Sequence, residues 1–511
     1  MNSLLLEPPK EAIASLNKLL EIEPNTDNAL YNRGNELFKL GRYEEAITIY
    51  DNVLEIQPDF YEALYNRGTA LANLELFEQA IPSYDKATEF KPDYYEAWYN
   101  RGLALGNLGR HEEALASYDK ATQIKPDFHE AWNNRGFALG NLGRHEEALA
   151  SYDKARQIQP NLYEAWNNRG SALRELERFE EALASFDKAT QLKPDLYAAW
   201  YNLGFTLGNL GHHEEALASF DKATQLKLDL PEAWNNRGVT LGNLGHYEEA
   251  LASFNKALEF KPEYYQAWNN RGIALANLGR YEETLASCDQ ATKIKSDFFD
   301  AWYTLGGALF SLERYEEAIT IYDKALELKP DSHQAWNIRG YALLQLEQIE
   351  EAITSYDKAT KIKPDLHEAW YNKALCYALQ GNVDQAIDNL QQAINLSPDK
   401  YRQLAKTDSD FDSIREDERF QALIQEERDW EEGEIDESEW LRAAATNPAF
   451  DFLKEPEEDI YTLDDGRPFN ENEDKPTPAE ILADIRRERS FNPASYGLPD
   501  SLTLLREDRD R

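Results

Sequence analysis

An all-α array of stacked helical hairpins, an α-solenoid, is the fold class this sequence predicts, and three observations carry it. Tryptophan recurs every 34 residues, at Trp98, Trp132, Trp166, Trp200, Trp234, Trp268, Trp302, Trp336 and Trp370, and a fixed period of that length is the mark of a repeat architecture. Counted from Asp27, eleven such units run to Lys400, with Gly at the eighth place in ten of them and Ala at the twentieth in ten. Proline holds the thirty-second place in nine units, Leu228 and Ser296 being the exceptions. The chain therefore divides into an opening half-unit (1–26), the array (27–400), a helical capping stretch (401–425) and an acidic tail with short helices (426–511).

Each unit reads as two helices. Trp98, Gly102 and Leu105 are spaced i, i+4, i+7 and share one helical face, where a large residue beside a small one lets two helices approach closely. Ala114, Tyr118 and Ala121 make the matching stripe of a second helix, and Gly109 between the stripes is a helix stop. Pro126 closes the second helix because it has no backbone N–H to continue it. At the unit's start Asp93 with Glu96 has capping-box spacing, and Glu112 and Glu113 place anions where the second helix begins. A single hairpin cannot bury its own apolar face, so stability must come from neighbours stacking. Truncating one of these tryptophans is then expected to cost about 3–5 kcal/mol locally.

The pattern W-x3-G-x2-L, then A-x3-Y-x2-A and P, as written in Trp98 to Pro126, resembles the tetratricopeptide (TPR) repeat and covers about three quarters of the chain. The resemblance implies a right-handed superhelix whose first helices line a concave groove. One departure stands out. The place before the glycine, commonly Leu in that family, is Arg in eight units: Arg33, Arg67, Arg101, Arg135, Arg169, Arg237, Arg271 and Arg339. Such an arginine must run its stem along the packed face and find a charge partner for its head.

The second, sixth, ninth and thirteenth places lie on the helix face turned away from the tryptophan. The sixth is Asn at Asn32, Asn66, Asn100, Asn134, Asn168, Asn202, Asn236, Asn270 and Asn372, with Thr304 and Ile338 interrupting. Asn also holds the thirteenth at Asn73, Asn107, Asn141, Asn209, Asn243 and Asn277. A carboxamide offers donors and an acceptor that match the backbone of an extended peptide whatever its side chains, and Asn is too poor a helix former to be an obvious choice for a passive surface. Candidate peptide-binding residues are therefore Asn66, Asn100, Asn134, Asn168, Asn202, Asn236, Asn270, Asn107, Asn141, Asn209, Asn243 and Asn277. The competing reading is that these amides solvate the face or bond to neighbouring helices. The row resembles the asparagine ladder in the TPR region of O-linked N-acetylglucosamine transferases. The second place is acidic at Glu62, Glu96, Glu130, Glu164, Glu232, Asp300 and Glu368, which favours a neutral or basic partner, although helix capping accounts for the same residues. TPR domains that hold chaperone tails carry lysines and an arginine in the groove; acidic second places here argue against that role.

Composition narrows the function further. There are 54 Lys and Arg against 94 Asp and Glu, a net charge of −40, which repels phosphate backbones and argues against nucleic acid as a partner. Two cysteines make no disulfide framework, no run of 18 apolar residues is present and the N-terminus has no signal-peptide build, so a cytoplasmic protein is expected. No HExxH or CxxC occurs, and the glycines Gly102, Gly106 and Gly109 lack the strand and GK[ST] of a phosphate loop. The expectation is a non-enzymatic scaffold without metal or cofactor. Residues 401–511 hold 32 acids and 15 bases. Residues 439–511 faintly resemble the antitoxin polypeptides of bacterial toxin–antitoxin pairs, which implies an alternative in which the tail captures and neutralises a partner.

Overall fold

The computed structural model describes residues 27–425. Among them, eleven hairpins follow one another, each a 13-residue first helix and a 14-residue second helix, from Asp27–Lys39 with Tyr43–Ile56 to His367–Leu379 with Val383–Leu396. Strands are absent among the described residues, and consecutive helices pack on one another from Asp27–Lys39 to Tyr247–Phe260 and from Tyr281–Ile294 to Val383–Leu396. The described residues fall into two compact units, divided between Asn270 and Arg271. The expected N-terminal half-unit and the whole of the acidic tail lie outside the described residues.

The turn inside each hairpin explains the glycine at the fifteenth place. After the helix Tyr95–Asn107, Gly109 takes a φ of +73°. Its N–H reaches the Gly106 carbonyl at 3.0 Å while the Arg110 N–H reaches the Leu105 carbonyl at 2.9 Å. This pair of reversed bonds satisfies carbonyls that the ending helix leaves free. In four hairpins the same left-handed position is filled by glutamate: Glu75, Glu177, Glu313 and Glu347, with φ of 58–59°. The expected capping box is not formed. The helix begins at Tyr95, one residue later than a cap at Asp93 requires, and its N-cap Tyr94 makes no side-chain bond to the helix. Side-chain caps occur instead at Ser332 and Asn382, which accept from the N–H three residues on.

Packing within a hairpin rests on the glycine at the eighth place. A Cβ added at Gly102 would stand 2.6 Å from Tyr118 of the second helix, and Gly136 and Gly238 show the same distance to Tyr152 and Phe254. In the last hairpin the pair is exchanged together, Ala374 facing the smaller Leu390. Packing between hairpins rests on the tryptophan and the arginine. The nine tryptophans of the array are half-buried. Each indole N–H donates to the carbonyl six residues earlier, at 2.8–3.0 Å. Since the acceptor is backbone, the bond persists where Leu228 and Ser296 replace proline. The arginine finds its partner as expected: Arg135 Nε meets Asp119 of the preceding second helix at 2.6 Å, and its Nη1 donates to Ser151 of its own second helix at 2.6 Å. Arg67, Arg101, Arg169, Arg237 and Arg339 repeat the pair of contacts. One guanidinium thus fastens three helices.

Beyond the eleventh hairpin the period ends. The helix Pro398–Thr407, a short 3-10 turn Ser409–Ile414 and the helix Glu418–Gln425 follow. Tyr401, Ala405, Phe411, Ile414, Phe420, Leu423 and Ile424 are buried in one cluster with Tyr371, Leu375 and Leu390 of the last hairpin. The apolar edge that an end hairpin would otherwise expose is covered there.

Candidate functional site

The first helices place the sixth, ninth and thirteenth residues of each hairpin in one stripe, and the structure distinguishes three environments along it. The sixth-place asparagines from Asn66 onward are half-buried, and Asn32 is exposed. Their Nδ2 groups reach back to the fifth-place residue of the preceding hairpin: Asn66 to Tyr31 Oη, Asn100 to Tyr65 Oη, Asn134 to Tyr99 Oη and Asn236 to Tyr201 Oη, at 2.9–3.2 Å. Where that residue is asparagine, Asn168, Asn202 and Asn270 donate to Asn133, Asn167 and Asn235 at 3.0–3.2 Å. The amides therefore join neighbouring first helices. Asn66 places its second donor on Asn35 Oδ1 at 2.8 Å, whereas each of the others uses one donor and keeps the second, since a carboxamide carries two. The accepting tyrosines are held protonated: burial pushes Tyr99 up to about 12, with Glu130 adding to it.

Thirteenth-place asparagines behave differently. Asn73, Asn107, Asn141 and Asn277 donate to the carbonyl four residues back in their own helix at 2.8–2.9 Å, so they hold no hairpin to another. Asn107, Asn141, Asn209 and Asn243 are exposed, and Asn277 is half-buried.

Between the two rows stands a third that sequence reasoning missed. The ninth place carries Phe137, Phe205 and Val239, exposed by 55%, 36% and 37%. Arg174 of the preceding hairpin lies 5.2 Å from the Phe205 ring and donates to Asn202 Oδ1 at 3.2 Å. The ninth place varies in residue type from hairpin to hairpin, so no repeat rule marks it; an apolar residue opposite the tryptophan was the available signal.

Carboxylates at the second place are partly engaged. Lys261 meets Glu232 at 3.2 Å, and His129 and His367 meet Glu130 and Glu368 at 3.1 Å. Cys288 and Cys376 are buried free thiols whose pKa burial raises to about 12, a poor starting point for a nucleophile. Among the described residues no group of three or more His, Cys, Asp or Glu is placed to hold a metal. No described helix is long and apolar enough to cross a membrane.

Family comparison fits this geometry. Tetratricopeptide repeat models match residues 95–128, 129–162, 231–264 and 367–400, and related ones match 295–333, 303–367, 253–286 and 197–229. A TPR repeat model matches 34–75, 76–109 and 170–211. The chain belongs to the tetratricopeptide repeat family. As a TPR protein it is a protein–protein interaction scaffold, and its partners are proteins or peptides. No curated protein matches it. Among solved structures, the TPR protein YrrB, described as having an unusual peptide-binding site, is 28% identical. That match covers 36% of this chain and 96% of YrrB, with a TM-score of 0.34. MamA is 25% identical over 32% of this chain and 94% of its own, with a TM-score of 0.31. Yeast Tom70 is 18% identical over 78% and 99%, with a TM-score of 0.36. The family matches end at residue 400, and nothing in them supports the antitoxin resemblance of the tail.

Proposed function

We propose that this TPR protein performs no reaction and binds an extended, neutral or basic peptide segment along its first-helix stripe. The observation that carries the reading is the combination of rows. Exposed apolar side chains at Phe137, Phe205 and Val239 stand between half-buried asparagines with a spare donor and exposed asparagines. Amides that pair with backbone beside apolar rings that take side chains is the division of labour used in extended-peptide recognition. The acidic second places favour basic over acidic segments.

Because the sixth-place asparagines also join hairpins, replacing them would confuse binding with folding. The thirteenth-place row avoids this. Replacing Asn107, Asn141, Asn209 and Asn243 together by Ala, and separately Phe137 and Phe205 by Ala, should leave the helical circular dichroism unchanged. Each set should weaken peptides selected from an array of extended sequences by about tenfold or more, about 1.4 kcal/mol. Unchanged affinities in both sets, or a preference for acidic peptides, would overturn the proposal.

A further inference from the structure

Gly307 at the ninth place of the ninth hairpin and Ile338 at the sixth place of the tenth accompany two buried hydroxyl groups that have no partner among the described residues. In the first hairpin, Tyr50 Oη donates to the ninth-place Asn35 at 2.8 Å, and in the second, Tyr84 Oη donates to the ninth-place Thr69 at 3.3 Å. In the ninth hairpin that place is Gly307, and Tyr322 Oη is fully buried with no partner among the described residues. A Cβ at Gly307 would stand 3.7 Å from this oxygen, an ordinary contact distance. Gly307 itself is half-exposed, and a Cβ there would meet only this oxygen within 4 Å, so the glycine leaves a gap beside the hydroxyl. Tyr303, at the fifth place, loses its partner independently. Its equivalents Tyr65 and Tyr99 accept from the next hairpin's asparagine, but Ile338 stands in that position and Tyr303 Oη is buried and unpaired. The two rings lie 6.0 Å apart, edge to face. Burial alone raises Tyr303 to about 12, with no charged neighbour contributing.

We infer that Gly307, Tyr303 and Tyr322 form a notch that takes one uncharged carbonyl oxygen, from a carboxamide side chain or a peptide bond of the bound segment. Two O–H donors lack acceptors, and a carbonyl oxygen has two lone pairs to receive them. Leaving them unmade carries a desolvation cost that an acceptor entering at Gly307 relieves. A carboxylate is a poor fit, because a buried charge without a cation is costly. The inference rests on the reading that the first-helix face receives the partner, and it locates a specificity point on it.

The test uses full-length protein with 13C at the tyrosine ζ carbon, the Tyr303 and Tyr322 resonances being identified by their loss in Tyr303→Phe and Tyr322→Phe. N-methylacetamide, a minimal peptide carbonyl, is titrated against acetate as the charged control. The expected result is a saturable shift of both resonances with N-methylacetamide and none with acetate. Gly307→Asn, which copies the first hairpin and so keeps the fold, should abolish the shift; Gly307→Ala should reduce it. Equal responses to both probes, no saturable response, or a response undiminished in Gly307→Asn would overturn the inference. If the notch fails while the Phe137 and Asn141 variants still lose peptide, the stripe reading survives; if the probe shifts both hydroxyls while those variants bind normally, only the notch stands.

Discussion

Single positions decide how closely these helices pack. At Gly136, a methyl group would overlap the Tyr152 ring at 2.6 Å, and overpacking of this kind costs about 1–3 kcal/mol. Gly136→Ala should lower the urea midpoint accordingly, and adding Tyr152→Leu, the pairing the protein already uses at Ala374 and Leu390, should recover part of the loss. The four left-handed glutamates point the other way. An L residue in that conformation costs about 1–2 kcal/mol, partly offset by the freedom a glycine loses on folding. Glu75→Gly, Glu177→Gly, Glu313→Gly and Glu347→Gly should each therefore stabilise by up to about 1 kcal/mol in denaturant melts. The arginine before the glycine in eight hairpins shows what a sequence can tell at this scale: its need for a charge partner was legible, and in six of them aspartate and serine at fixed repeat places supply the two contacts. The half-burial of the tryptophans was not, because a helical wheel ranks faces without saying how much of a large ring the neighbour covers. With part of the ring already in solvent, Trp166→Ala should cost less than full burial implies.

At the scale of elements, hairpin boundaries were readable from glycine and proline, whose backbone limits are local. Capping was not. Asp93 and Glu96 have the right spacing, yet the helix starts at Tyr95 because the preceding residues belong to the turn that places the tryptophan over the carbonyl of Pro92. The C-terminal segment is the element most open to test. His367 Nδ1 lies 2.6 Å from Tyr401 Oη, joining the last hairpin to the helix Pro398–Thr407. Burial is the largest influence and lowers the His367 pKa; Lys400 and Lys363 add to the lowering while Glu368 and Asp365 oppose it. A histidine whose folded pKa is depressed binds fewer protons folded than unfolded, so its contribution is present above its ordinary value near 6.5 and is lost as pH falls through that value. Hydrogen exchange in residues 398–425 should therefore accelerate below pH about 6 before exchange in the central hairpins does. Uniform acceleration along the chain, or none, would contradict this, and His367→Gln should remove the effect.

For the molecule as a whole, the repeat period carried almost all of the fold, since one rule applied eleven times is hard to misread. The candidate site was half legible. Period and residue chemistry placed the asparagines on one face, but their bonds to the preceding hairpin depend on how adjacent first helices are offset, which no single unit encodes. The exposed phenylalanines were hidden by the variability of their place. The central claim is that partners lie along the first helices. Its most direct test is to place the photo-cross-linker p-benzoylphenylalanine at Phe137 or Phe205, and for comparison at Leu226 or Leu328, exposed ends of second helices. Each full-length protein is irradiated with the tightest peptide from the array. Cross-links from 137 and 205 and not from 226 or 328 are expected. Cross-links confined to 226 and 328 would contradict the account.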